Sequence, residues 1–378
     1  MNARLVETAQ LALDTILQKP VKGIPSWLIH PMEHRMIDRL AGDPEGSYVK
    51  NPEDIYLKMQ RNVGTCLLDQ YLALNPLDIG DHGYTGNRQK SATTGEEQIV
   101  CDGILIDSPE AVVEHLEQVS FPALRKACLE FNEDQRVKEI LDGEREVQTK
   151  LGPTMLKSGY GFIGFPGLAY GTYGYVNYFM AYALYPDVIE KHFSLQADYF
   201  LLNNRAAARA YREGDLPPLY RLDYDLADSR GTLVDIKSLD KIWFPHFARC
   251  LEPMLKTDVR LIWHCDGNLS QMVPRLLEVG LRGFQGFQYE DGMDYDKICR
   301  MKDREGRDLI IIGGVSVTRT LPRGKPQDVK KEIQWLVNKG PKTGLFLGGS
   351  SSIAPGVPWE NLQTLVEGFK YYREHGRV

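Results

Sequence analysis

Apolar and polar residues alternate along this chain in a rhythm that is clearest in its C-terminal half. Residues 187–213 repeat with helical spacing, residues 218–225 form a short apolar run that ends in acids, and residues 239–255 are helical again. The exchange then recurs four more times: strands are predicted over 259–264, 283–288, 309–312 and 344–347, and helices over 270–279, 295–302, 326–339 and 360–373. Strict alternation of short apolar strands with helices implies a parallel sheet covered on both faces.

The N-terminal half is less regular. Leu5, Ala9, Leu11, Leu13, Ile16 and Leu17 make a helical stripe that breaks at Lys19-Pro20. Residues 24–30 form an apolar run that predicts the first strand. Residues 32–40 read as helical, and Asn51-Pro52 opens a helix predicted to reach about Leu74. Glycines at 80, 83, 86 and 95 interrupt the pattern between 75 and 107, and the alternation over 98–106 predicts a β-hairpin excursion. Helices are expected from Ser108-Pro109 to about Val119 and over 122–149. The predicted organisation is an N-terminal helix (1–22) packed on a single barrel domain (23–378), with the insertion around 75–107.

The strand ends carry the candidate chemistry. The run from Val259 stops at His264-Cys265-Asp266-Gly267-Asn268, which puts His264 and Asp266 at i and i+2, on one face, before a glycine that lets the backbone turn. Such a pair is also what a merely structural hydrogen bond at a strand end looks like. Asp225, Glu290, Ser316 and Ser351 stand at four neighbouring strand ends, however. An open doubly wound sheet gathers its ligands at one switch point, whereas a closed (β/α)8 barrel brings every strand end to one mouth, so the barrel is the better fit. Neither a GxGxxG after a strand nor a GxxxxGK[ST] is present, so nucleotide binding has no motif support.

Residues 151–186 are compositionally odd, with Tyr160, Phe162, Tyr170 and Tyr173 among many further aromatics and glycines. They read equally as a lining for a flat ligand and as ordinary core aromatics. The net charge of −6 argues against a phosphate-binding surface, so nucleic acid is not an expected partner. The six cysteines lie far apart without a CxxC pair, as in a reduced cytoplasmic protein, and no apolar run approaches a membrane span.

The stretches at the strand ends resemble the uroporphyrinogen decarboxylase superfamily, in that family's order. Tyr224-Asp225-Leu226-Ala227-Asp228 with Pro245, then His264-Cys265-Asp266-Gly267-Asn268, then Gln288-Tyr289-Glu290 with Gly292-Met293-Asp294 and Lys297, match in turn. Gly313-Gly314-Val315-Ser316, and Gly349-Ser350-Ser351-Ser352-Ile353-Ala354-Pro355 with Pro358 and Glu360-Asn361, complete the series. Gly23-Ile24-Pro25, Glu33-His34 and Gly152-Pro153 match more loosely. The resemblance implies a (β/α)8 TIM barrel of the uroporphyrinogen decarboxylase type with N-terminal helices.

It also implies one of two chemistries. The decarboxylases grip an acidic substrate with an Arg-rich N-terminal segment, where this chain has Ser26-Trp27-Leu28-Ile29-His30-Pro31-Met32-Glu33-His34, too poor in cations for a polycarboxylate. The carboxy-lyase therefore stands as the alternative. The other branch comprises corrinoid-dependent methyltransferases, whose coenzyme M members hold zinc through a His-x-Cys and a later Cys. Here His264 matches, but Asp266 and Ser351 replace the two cysteines, which disfavours a thiol acceptor. Cys265 does not substitute, because at i+1 it faces the opposite side of the strand.

On this resemblance the expected activity is demethylation of an aryl methyl ether, the methyl passing to the corrinoid (cobalamin) of a partner protein, or the partner step from methylcorrinoid to tetrahydrofolate. Asp225, His264, Asp266 and Glu290 are the expected catalytic residues, and if a metal such as zinc is present, His264, Asp266 and Glu290 hold it. Tyr160, Phe162, Tyr170, Tyr173, Asn268, Ser316 and Ser351 are expected to line the site for a small aromatic or pterin substrate. A homodimer is compatible with the resemblance.

Overall fold

The computed structural model describes residues 5–74, 78–80, 83–85 and 99–377. Five long strands form one parallel sheet: β4 (Leu219–Asp223), β5 (Arg260–His264), β6 (Gly283–Gln285), β7 (Ile310–Val315) and β8 (Leu345–Gly349), in that spatial order. Three short segments close it. Residues 26–27 (β1) pair in parallel with Leu347 of β8 on one side and with Leu67 on the other, through Ser26 and Trp27. Leu67–Leu68 (β2) pairs in parallel with Leu156–Lys157 (β3), and Gly159 just beyond β3 bridges to Tyr220 of β4. The ring is thus complete, and the fold is the TIM barrel that the alternation predicts.

Register determines which side chains point inward. His264 pairs with Asp223 on one side and Gln285 on the other, so these three share a layer inside the barrel. The residues between them face out: Trp263 packs on Phe165, Phe247 and Trp243, while the Tyr220 hydroxyl takes the Phe162 and Ile163 amides at 2.7 Å each. Burying such aromatics between barrel and helices is worth roughly 1.5–3 kcal/mol each.

Three differences from the expected elements matter. The helix expected to reach Leu74 ends at Val63, with Gly64 as its left-handed cap, which leaves Leu67–Leu68 free to be β2. β3, two residues long, has no periodicity to announce it. The helix expected over 122–149 is two, Phe121–Leu129 and Glu133–Leu151, the second capped by Asn132, whose side chain accepts from the Gln135 amide. Much of the excursion expected around 75–107 lies outside the described residues; its described parts are two antiparallel pairs, Asp78–Gly80 with Gly83–Thr85 and Val100–Cys101 with Ile104–Leu105. The N-terminal helix, Glu7–Ile16, buries Ala9, Ala12 and Ile16.

Candidate active site

His264 is the last residue of β5 and is buried; Asp266 follows two residues later, partly exposed, before Gly267 turns the chain with φ +88°. The expected pairing of these two is present, with His264 Nε2 3.9 Å from Asp266 Oδ1. The His264 Nδ1–H donates to the Gln285 carbonyl at 3.3 Å, which orients Nε2 toward Asp266. Close packing fixes the ring: a Cβ on Gly286, whose φ is +73°, would come within 2.5 Å of His264 Nδ1.

Asp225, just beyond β4, completes the cluster. Its Oδ1 accepts from the Asp266 amide at 2.8 Å, and Asp225, His264 and Asp266 each offer one ligand atom within 4.8 Å of the others. Around Asp266, Ser351 Oγ donates to Oδ2 at 3.3 Å and Gln288 Nε2 to Oδ1 at 3.4 Å, while Gln288 Oε1 takes the Gly267 amide at 2.6 Å. Burial pushes the Asp266 carboxyl up; His264 opposes this, and the neighbouring Asp225 carboxylate adds to it. One imidazole nitrogen and two crowded carboxylates form an N/O donor set that fits a divalent cation, whose charge would relieve that crowding.

Glu290 does not join this cluster, although it was expected as a metal ligand. Its Oε1 accepts from Ser316 Oγ at 2.6 Å and Thr318 Oγ1 at 2.5 Å, so hydroxyls of the loop after β7 hold it away, and the third group of the cluster is Asp225. Ser316 is accordingly a partner of Glu290, and its amide donates to Glu332 at 2.7 Å. Ser351 does reach the cluster, through Asp266. Asn268 turns back on its own loop, accepting from the Ser270 amide at 3.2 Å and hydroxyl at 2.7 Å.

The aromatic block divides. Tyr170 donates to the Asp225 carbonyl at 3.1 Å and stacks with Phe179 at the rim, and Tyr160 donates to Asp223 Oδ2 at 2.9 Å. Phe162 and Tyr173, expected to line the site, are core instead: Phe162 packs edge-on to Tyr220, and Tyr173 is buried with its hydroxyl on His115. Cys265 faces away as expected, its Sγ taking the Leu226 amide and its thiol pushed up to about 12 by burial.

Four further residues at or beneath the mouth were not anticipated: Asp69, Arg221, Asp223 and Gln288. Arg221 lies inside the barrel, with Nε 2.5 Å from Asp69 Oδ2, Nη1 2.7 Å from Asp223 Oδ2 and Nη2 3.1 Å from Gln70 Oε1. A sequence signal existed for part of this, since Arg221, Asp223 and Asp225 fall at i, i+2 and i+4 of one strand.

Comparison with known proteins follows the same outline. Residues 224–372 match the family profile of uroporphyrinogen decarboxylase (URO-D), a span that holds Asp225, His264, Asp266, Gln288 and Ser351. Among solved structures, a methyltransferase from Methanosarcina mazei is similar in fold with a TM-score of 0.57 at 16% identity, covering 98% of this chain and 99% of its own. A sequence search of the curated proteins finds no match. The chain thus carries the uroporphyrinogen decarboxylase family pattern over residues 224–372, and its closed barrel is similar in fold over its whole length to a solved structure of low sequence identity.

Proposed function

We propose that the protein is a corrinoid-linked methyltransferase that demethylates an aryl methyl ether and passes the methyl to the corrinoid of a carrier protein. The observation that carries this reading is the donor set itself: His264, Asp225 and Asp266 within 4.8 Å at the C-terminal mouth of the barrel, with no thiolate among them. Oxygen and imidazole donors suit a Lewis-acidic metal matched to an oxygen leaving group. When bound, the metal supplies positive charge to the leaving phenolate oxygen. The chain's own contribution is to orient: the Gln285 carbonyl sets the His264 tautomer, and Ser351 and Gln288 aim Asp266. Tyr170 offers an aromatic wall at the rim beside Asp225. The likeness in fold to a protein described as a methyltransferase supports the same direction.

The decarboxylase alternative is weakened by charge. Arg221 is spent on Asp69 and Asp223, and Asp223, Asp225 and Asp266 stand where a polycarboxylate would have to approach. The test is incubation of the protein with cob(I)alamin and a methoxyphenol, and with methylcobalamin and tetrahydrofolate, following the cobalt absorbance. Methylcobalamin formation from the methoxyphenol is expected. No change in either arm, together with conversion of uroporphyrinogen to coproporphyrinogen, overturns the proposal.

A further inference from the structure

Asp223 is part of no proposed ligand set, yet it sits beside His264 in the barrel's inner layer, on the adjacent strand and in register with it. Its two oxygens differ. Oδ2 is fully engaged, accepting from Arg221 Nη1 at 2.7 Å and from the Tyr160 hydroxyl at 2.9 Å. Oδ1 takes no hydrogen bond among the described residues, although the side chain is 28% exposed. The carboxylate cannot easily swing to change this. Arg221 is 3% exposed and held at three points, by Asp69, Asp223 and Gln70, with its guanidinium 4.7 Å from the Tyr160 ring centre. Two donors on Oδ2, one of them a guanidinium held this firmly, restrain rotation about the Cβ–Cγ bond and with it the plane of the carboxylate. The result is a rigidly held, partly exposed carboxylate at the mouth end of β4, beside the candidate ligand cluster and close enough for its charge to act on Asp266.

We infer that Asp223 is a specificity-determining residue, accepting a hydrogen bond from an O–H or N–H that the substrate carries next to its methoxy group. This rests on the aryl-ether reading and narrows it to donor-bearing substrates. A site with a fixed acceptor penalises an analogue that cannot donate, because the carboxylate oxygen is desolvated without a partner.

The test compares binding of 2-methoxyphenol and 1,2-dimethoxybenzene to the full-length protein by calorimetry. Wild type is expected to bind the phenol roughly tenfold or more tightly. In Asp223→Asn the order should reverse. Arg221 and Tyr160 both donate, so the Asn carbonyl must stay toward them and its amide N–H2 turns to the ligand, which then favours the ether oxygen. Tyr160→Phe, which leaves Oδ1 in place, should retain the wild-type order. Equal binding of both compounds by wild type, or an unchanged preference in Asp223→Asn, overturns this inference alone. If neither compound binds wild type, the aryl-ether reading and this inference fall together. The wild-type comparison needs no variant, so a poorly folding substitution does not shield the inference.

Discussion

The Arg221–Asp69 pair is the most exposed to test of the interior contacts, because both side chains are almost wholly out of water, at 3% and 2%. Asp69 accepts from Arg221 Nε on one oxygen and from Trp27 Nε1 at 2.8 Å and the Gln70 amide at 2.7 Å on the other. Burial alone would push its carboxyl up; Arg221 and Trp27 together hold it below the ordinary range. Asp69→Leu keeps the branching at Cγ, in a somewhat larger side chain, and removes every one of these acceptors. Breaking one partner of a buried pair costs about 3–5 kcal/mol, and an orphaned buried N–H such as Trp27 Nε1 costs roughly 1–3 kcal/mol more. Asp223 still faces the guanidinium, which offsets part of this. We therefore expect a loss of about 4 kcal/mol, measured by urea unfolding followed by circular dichroism. The double variant Asp69→Leu/Arg221→Met leaves no unpaired buried cation and should be less destabilised than Asp69→Leu alone. A single-variant cost below about 1 kcal/mol, or a double cost equal to the sum of the two singles, would refute the reasoning.

Two further outcomes follow from the site's surroundings. Burial raises the Glu332 carboxyl to about 7, despite its hydrogen bond from the Ser316 amide. A carboxyl whose folded value lies above its unfolded one contributes stability that is intact below about 4.5 and declines as the pH rises through about 7. The melting temperature of Glu332→Gln relative to wild type should accordingly climb between those values and level off above; a constant difference would contradict this. Gly286→Ala places a Cβ 2.5 Å from His264 Nδ1 at a φ of +73°. Displacing the ring should abolish most bound metal in an equilibrium-dialysis assay with zinc, where Cys265→Ser retains it; undiminished zinc in Gly286→Ala would show that His264 is not held as described.

Much of the outline was legible in the residues alone, and the reason is periodicity. The alternation over 187–373 and the run of polar strand ends point to a barrel because strands buried on both faces read as short apolar blocks between helical stripes. The i, i+2 rule by itself puts His264 and Asp266 together and turns Cys265 away. What the residues could not show was closure and contact. The apolar run over 24–30 announces β1, but β2 and β3 are too short to have a period, and they are strands only because neighbouring edges supply their hydrogen-bond partners. Whether an aromatic is wall or core likewise depends on its neighbours: Tyr170 and Tyr173 are three residues apart, one at the rim on Asp225 and the other buried against His115. That Glu290 stands outside the cluster has the same origin, since loop hydroxyls from Ser316 and Thr318 decide where that carboxylate points. Sequence order determined which strand ends meet at the mouth; only the packing of loops and helices around them decided which side chains face one another.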